Sequence, residues 1–154
     1  MAARTPSQTV GPFFHEALRW PAGPAPDAPV TIAGRVLDGA GEAVDDAMIE
    51  AWQSGSCGLA RVMTDADGTF RLAASMPRGE APCLEVAIFA RGLLKAVRTR
   101  VYLAPIGRVR ADPALAALAG SPRIGTLVAT PAGAHEYRWD ARLQGDGETV
   151  FFCP

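Results

Sequence analysis

Short β-patterned segments separated by turn residues constrain the fold of this chain more than any other feature. Residues 30–37 alternate well enough for a strand, and after a turn containing Asp38, Gly39 and Gly41, residues 47–53 predict a second strand with Met48, Glu50 and Trp52 on one face. The 16 glycines and 13 prolines interrupt the 154-residue chain throughout, leaving one clear helix candidate. Many short strands with regular turns are typical of a β-sandwich. The sequence therefore predicts an all-β fold of two packed sheets.

The remaining segments extend this pattern. Further strands are predicted over residues 62–64, 69–72, 83–90, 96–103, 125–131, 136–143 and 148–152. The turn from Asp65 to Gly68 predicts that the first two of these form a hairpin. The one short helix is predicted over residues 112–119, because Asp112 can cap it, Pro113 suits its first position and Gly120 can end it.

Prolines concentrate before residue 30, where Pro6, Pro12, Pro21, Pro24, Pro26 and Pro29 stand. Proline fixes φ and removes a backbone donor, so this stretch predicts an irregular, proline-rich N-terminal arm over residues 1–29. A chain of this length has the size of a single domain. We therefore expect one β-sandwich domain over residues 30–154.

Charge and hydropathy exclude several classes of function. Fifteen basic and sixteen acidic residues give a formal net charge of −1, which predicts neither a nucleic-acid partner nor an anionic membrane partner. Apolar runs are too short for a transmembrane helix, and the N-terminal residues lack the apolar core of a signal peptide. Cys57, Cys83 and Cys153 form no CxxC pair. These features predict a cytoplasmic protein with free thiols.

Residues suited to metal or acid–base chemistry are scarce. The complete stock of histidine and tyrosine is His15, His135, Tyr102 and Tyr137, and nothing in the sequence shows that they converge. The favoured interpretation of His135 and Tyr137 is a surface residue and a sheet-packing aromatic. Arg91 differs because it follows an apolar strand. Arginine at such a position can be a structural ion-pair partner or can bind a carboxylate in a cleft, and the residues alone leave both open.

Several segments together resemble the intradiol ring-cleavage dioxygenases. They are residues 5–13, 50–53, 64–70, 89–93, 99–102 and 145–152, which extend over nearly the whole chain. The first and last resemble most specifically the alpha subunits of the protocatechuate 3,4-dioxygenase group. The resemblance implies a β-sandwich fold. It also implies a reaction in which non-haem Fe(III), held by two tyrosines and two histidines, makes a catechol open to a carboxy-muconate.

The positions of the four iron ligands in that family are filled differently in this sequence. No tyrosine stands in residues 54–60 or 75–80, where the resemblance places the two tyrosines. Cys83 and Glu85 stand where it places the two histidines. The resemblance therefore implies an aromatic-catabolism subunit with no iron site of its own. Its Fe(III) would be bound by the partner beta subunit, and the isolated chain would be inactive.

The resemblance also implies a substrate-binding role for particular residues of this chain. Thr9, Gly11, Pro12 and Phe13 would wall the active site of the beta subunit, where a catechol-type substrate binds at the interface. Arg91 would supply a cation toward that site. The alternative prediction is a metal-free β-sandwich interaction or carrier module that has kept the fold and lost the activity.

Overall fold

Two β-sheets form the framework of the protein. The computed structural model describes residues 29–53 and 58–152. The strands are β1 (Pro29–Leu37), β2 (Met48–Trp52), β3 (Leu59–Met63), β4 (Thr69–Ser75), β5 (Cys83–Phe89), β6 (Val97–Tyr102), β7 (Thr130–Pro131), β8 (Glu136–Arg138) and β9 (Ala141–Arg142). One sheet has the order β4-β1-β8-β7, with β9 also paired to β1, and the other has the order β3-β2-β5-β6. The predicted all-β sandwich is confirmed. The predicted arm, apart from Pro29, lies outside the described residues.

The main core lies between the two sheets and follows from the alternation of the strands. Val30 and Ile32 of β1 are buried, and so are Leu84, Val86 and Ile88 of β5. Full burial of an aliphatic side chain of this size contributes about 1.5–3 kcal/mol each. The strands that the sequence predicts most clearly are thus those that build this core.

The chain runs beside β1 and approaches it very closely at Trp139 and Asp140. The sequence predicts one continuous strand here, but two short strands, β8 and β9, flank these residues, and both run parallel to β1. The Trp139 N–H donates to the Ala33 carbonyl (3.0 Å), and the Asp140 carboxylate accepts the Arg35 N–H (2.8 Å). A Cβ at Gly34 would lie 1.7 Å from the Trp139 carbonyl oxygen. The close approach of Trp139 to β1 therefore requires glycine at position 34.

The turn after β3 connects the two sheets, so the hairpin prediction is wrong. β3 pairs with β2, whereas β4 pairs with β1 over seven residue pairs. Asp65 organises the turn, because its carboxylate accepts the backbone N–H of Asp67 (3.0 Å) and of Thr69 (2.9 Å). Gly68 has a φ of +69°. The sequence predicts the turn at residues 65–68 correctly. The strands on either side of it pair with β2 and β1 and not with each other.

Replacing Asp65 with alanine is expected to destabilise the fold in a pH-dependent way. Hydrogen bonds from the Thr69 hydroxyl and backbone lower the pKa of Asp65 from 3.8. A lowered pKa in the folded state stabilises the fold above the unfolded pKa, and the stabilisation is lost as the pH falls through the folded value. Urea unfolding should therefore show a larger effect of Asp65→Ala at about pH 7 than at about pH 2.5.

Asp67→Ala is the matched control, since Asp67 lies in the same turn and its side chain makes no hydrogen bond within residues 29–53 and 58–152. It should have a small effect at both pH values. Equal destabilisation by Asp65→Ala at both pH values would contradict the role of the ionised carboxylate.

Three short helical segments follow β6. The predicted helix is a 3-10 helix, Pro113–Leu118, and Asp112 caps it by accepting the Ala114 N–H (2.9 Å). The other two are α1 (Ile106–Arg110) and a second 3-10 helix, Pro122–Leu127. The latter takes up residues 125–127 of the strand predicted over 125–131, because Ser121 caps the segment and Pro122 opens it, and Thr130–Pro131 form the short strand β7.

A second, smaller core lies beneath these helical segments. It contains buried Tyr102, Val109, Leu115, Ile124 and Leu127. The strand predicted over residues 148–152 is reduced to one bridge, in which the Phe152 N–H donates to the Arg98 carbonyl (2.8 Å). Among the described residues, no helix is both long enough and apolar enough to cross a bilayer.

Candidate functional site

Strand β5 carries the described candidate residues at its two ends. Cys83 and Glu85 lie at its start, and Arg91 follows its last residue, Phe89. At about 3.3 Å per residue, Glu85 and the last strand residue, Phe89, are about 13 Å apart, and Arg91 lies in the turn beyond Phe89. Arg91 therefore cannot act at the same point as Cys83 and Glu85 within one chain.

Arg91 lies in an exposed turn and is anchored on one edge. Its Nε atom pairs with the Asp46 carboxylate, and its Nη2 atom lies 3.7 Å from the Asp45 carboxylate. Gly92, with a φ of +83°, allows the chain to turn back, and the Leu93 N–H donates to the Ala90 carbonyl (3.3 Å). The guanidinium is held in one orientation at the rim of the sandwich.

The two carboxylates give Arg91 direction rather than free charge. The Asp46 side chain is only 10% exposed, whereas that of Arg91 is 61% exposed. Nη1 of Arg91 makes no hydrogen bond within residues 29–53 and 58–152. The anchored Nε side and the open Nη1 side together make Arg91 a positioned donor, which suits recognition of a carboxylate from outside the chain.

Asp46 is a residue that sequence reasoning missed. The antiparallel register of β2 and β5 pairs Met48 with Phe89, and continuing it by two residues places Asp46 opposite Arg91. The contact between Asp46 and Arg91 therefore follows from the pairing of the two strands. The acidic pair Asp45-Asp46 just before β2 is the sequence feature that could have indicated it.

The other end of β5 carries a compact polar group. It consists of Cys83, Glu85, Arg100, Tyr102, Asp112 and Phe152, and we call it the Arg100 cluster. The register of β5 and β6 pairs Cys83 with Tyr102 and Glu85 with Arg100. Nε of Arg100 donates to Glu85 (2.9 Å), and Nη1 lies 3.5 Å from the Tyr102 hydroxyl oxygen.

The cluster is closed by two further contacts. The Tyr102 hydroxyl donates to the Asp112 carboxylate (2.7 Å), so a chain of donors runs from Arg100 through Tyr102 to Asp112. The Arg100 guanidinium carbon lies 5.6 Å from the centre of the Phe152 ring, within the range of a cation–π contact. Arg100 thus contacts one carboxylate, a hydroxyl and an aromatic ring, and that hydroxyl bonds to a second carboxylate.

Burial and hydrogen bonding hold the groups of this cluster in defined protonation states. Burial raises the pKa of the Cys83 thiol, although the charge of Arg100 opposes the rise. Burial also raises the pKa of Tyr102 well above its ordinary value, and the hydrogen bond to Asp112 adds to this. For Arg100, burial acts to lower the pKa, but Tyr102 and Glu85 raise it overall. Neutral Cys83 and Tyr102 and cationic Arg100 are therefore favoured.

These residues do not fit a ferric ion. The Tyr102 hydroxyl is already hydrogen-bonded to Asp112 and lies beside Arg100, so it is not free to ligate an ion. Glu85 is held by Arg100, whose positive charge opposes a second cation. Among the described residues, no three His, Cys, Asp or Glu side chains lie close enough to hold a metal.

A cleft of about 540 Å³ opens beside the Arg100 cluster. It is lined by Gly79, Glu80, Ala81, Arg108, Ala111, Asp112 and Pro113. Asp112 belongs to both features, so the cleft reaches the edge of the cluster. Cys83 and Glu85 do not line it, and the two positions that the family resemblance assigns to histidines are therefore closed off from this cleft.

The other candidate residues divide into those that the structure describes and those that it does not. Thr9, Gly11, Pro12 and Phe13 lie outside the described residues. His135 is exposed, and Tyr137 packs against the main core, in agreement with the favoured interpretation of both. Sequence reasoning did not identify Arg100 as a partner of Glu85, because that pairing follows from the register of β5 and β6.

Comparison with known proteins decides the family. The chain is 34% identical to the protocatechuate 3,4-dioxygenase alpha chain of Burkholderia cepacia, over 97% of this chain and 96% of that relative. It is 31% identical to the alpha chain of Pseudomonas putida, over 96% of this chain and 95% of the relative. The chain belongs to the protocatechuate 3,4-dioxygenase alpha-chain family. No protein-family model matches it.

Solved structures agree with the alpha-chain family in fold. The dioxygenase domain of a carbohydrate-binding fusion protein from Streptomyces sp. SirexAA-E superposes with a TM-score of 0.59 at 22% identity, covering 80% of this chain and 84% of that one. Catechol 1,2-dioxygenase from Acinetobacter sp. ADP1 gives 0.56 at 18% identity, covering 86% and 59%. The alignment with the Burkholderia relative spans 190 positions, so that alpha chain has segments which this 154-residue chain lacks.

Proposed function

We propose that this protein is the alpha subunit of a ferric protocatechuate 3,4-dioxygenase and completes the active site of a beta subunit. The observation that carries this proposal is the similarity to alpha chains over almost the entire length of both proteins. In the proposed complex, non-haem Fe(III) bound by the beta subunit supplies the chemistry of intradiol ring cleavage. This chain supplies no iron ligand.

The geometry of β5 supports a division of labour between its two ends. The end carrying Cys83 and Glu85 is filled by the Arg100 cluster and does not fit iron. The opposite end carries Arg91, which is exposed, anchored by Asp46 and oriented outward. In this proposal Arg91 binds the carboxylate of the aromatic substrate in the partner's site. Thr9, Gly11, Pro12 and Phe13 form the adjoining wall of the pocket.

Reconstitution with the beta subunit of the source organism tests the proposal. We expect the isolated chain to consume no oxygen with protocatechuate, and the two chains together to elute as one complex that does. A stable chain that never associates with the beta subunit would instead support a metal-free interaction or carrier module. Oxygen uptake by the isolated chain with stoichiometric iron would contradict the proposal directly.

A further inference from the structure

The Arg100 cluster is arranged around one cation. Glu85 reaches Nε of Arg100 from β5 at 2.9 Å, and the Tyr102 oxygen lies 3.5 Å from Nη1. The ring of Phe152 lies against the guanidinium with its centre 5.6 Å from the central carbon. The groups that surround Arg100 are thus anionic, hydrogen-bond accepting or electron-rich, which is the environment that a bound cation requires.

We infer that the Arg100 guanidinium is a built-in cation that takes the place of a metal ion in this chain. Cys83 and Glu85, at the two positions that the family resemblance assigns to iron-binding histidines, lie on the same face of β5. Arg100 is the register partner of Glu85 and pairs with it directly. The charge at this end of the sheet is therefore balanced by a side chain of the protein itself.

Burial makes this arrangement selective. The side chains of Glu85 and Arg100 are 27% and 28% exposed, so their attraction is less screened than that of a surface pair. A divalent ion at the same place would have to displace the guanidinium or share the carboxylate with it. Arg100 thereby keeps metal out of the cluster, and this role holds for the chain whether or not a beta subunit binds.

Titration with Co²⁺ tests this inference on the full chain. The parent protein should show no Cys83-dependent thiolate-to-cobalt absorption. Arg100→Gln removes the charge and retains a shorter polar side chain, and it should bind Co²⁺ through Cys83 and Glu85 at least about tenfold more tightly than the parent. Adding Cys83→Ser should abolish the new absorption, which separates it from binding at the two other cysteines.

Arg98→Ala is the matched control, because Arg98 lies two residues away on the same face of β6 and is exposed. It should leave Co²⁺ binding at the parent level, and Arg100→Lys, which keeps a cation, should do the same. Cys83-dependent cobalt absorption in the parent would overturn the inference. So would a folded Arg100→Gln variant that binds Co²⁺ no better than the parent.

A measurement on the parent keeps the inference testable if Arg100→Gln does not fold. The Nε–H proton of Arg100 should give a protected, shifted NMR signal because Glu85 accepts it. Glu85→Gln should shift this signal and increase its exchange rate at least about tenfold, whereas Arg98 should give no protected signal in either protein. An Arg100 signal that exchanges as fast as that of a free arginine would overturn the inference.

Discussion

Gly34→Ala is expected to unfold the sandwich. The added Cβ would lie 1.7 Å from the Trp139 carbonyl oxygen and 2.6 Å from its carbonyl carbon, so the backbone at Trp139 must move away. That movement breaks the hydrogen bonds that Ala33 and Arg35 make with Trp139 and Asp140. The combined loss should lower the free energy of unfolding by about 4 kcal/mol or more, measured by urea or thermal denaturation.

Gly107→Ala provides the matched control. Gly107 lies inside α1, and apart from its chain neighbours and the backbone of its own helix, no heavy atom lies within 4 Å of an added Cβ. Alanine in a helix interior is favoured over glycine, so this variant should be unchanged or up to about 1 kcal/mol more stable. A Gly34→Ala variant as stable as the parent would disprove the close approach of Trp139 to Gly34.

Arg91→Ala is expected to lower the kcat/KM of the reconstituted dioxygenase for protocatechuate about 10- to 100-fold. A charge-assisted hydrogen bond to a substrate carboxylate contributes about 1.5–3 kcal/mol, which corresponds to a loss of this size. The substitution also leaves the buried Asp46 carboxylate without its partner, so some loss of thermal stability accompanies it. Steady-state oxygen uptake and thermal unfolding of the same preparations measure both effects.

Asp46→Ala separates the two effects. It breaks the same ion pair but leaves no buried charge unpaired and retains the exposed guanidinium, so it should reduce stability by no more than Arg91→Ala does, while kcat/KM changes by about threefold or less. Arg91→Lys retains the charge without the fork of donors and should fall between the parent and Arg91→Ala. An Arg91→Ala complex with full activity would exclude Arg91 from substrate binding.

The fold was predictable where local patterns carry the information. The strands predicted over residues 30–37, 47–53 and 83–90 correspond to β1, β2 and β5. All three contribute buried side chains to the main core. Residues 125–127 were predicted to begin a strand but belong to the 3-10 helix Pro122–Leu127, because Ser121 caps this segment and Pro122 opens it. The pairing of β3 and β4 was misread because it depends on β1 and β2, which lie far away in the sequence.

The candidate site was predictable only in part. Arg91 stands out in the sequence because a charge follows an apolar strand, yet its anchor Asp46 emerges only from the register of β2 and β5. Likewise, Cys83 and Glu85 can be placed on one face of a strand, but Arg100 is connected to them through the pairing of β5 with β6. Cross-strand partners are far apart in the chain, so the local pattern of a single sequence does not reveal which residues pair.

The parallel pairing of β1 with β8 and β9 has a consequence for how the protein is made. The Arg35 N–H finds its acceptor on Asp140, 105 residues later in the chain. At about 5–20 residues per second, a ribosome needs roughly 5–20 s to synthesise these 105 residues. During this time one edge of β1 exposes unsatisfied backbone groups that can pair with another nascent chain. Pairing through this edge is therefore one route by which the chain can aggregate during synthesis.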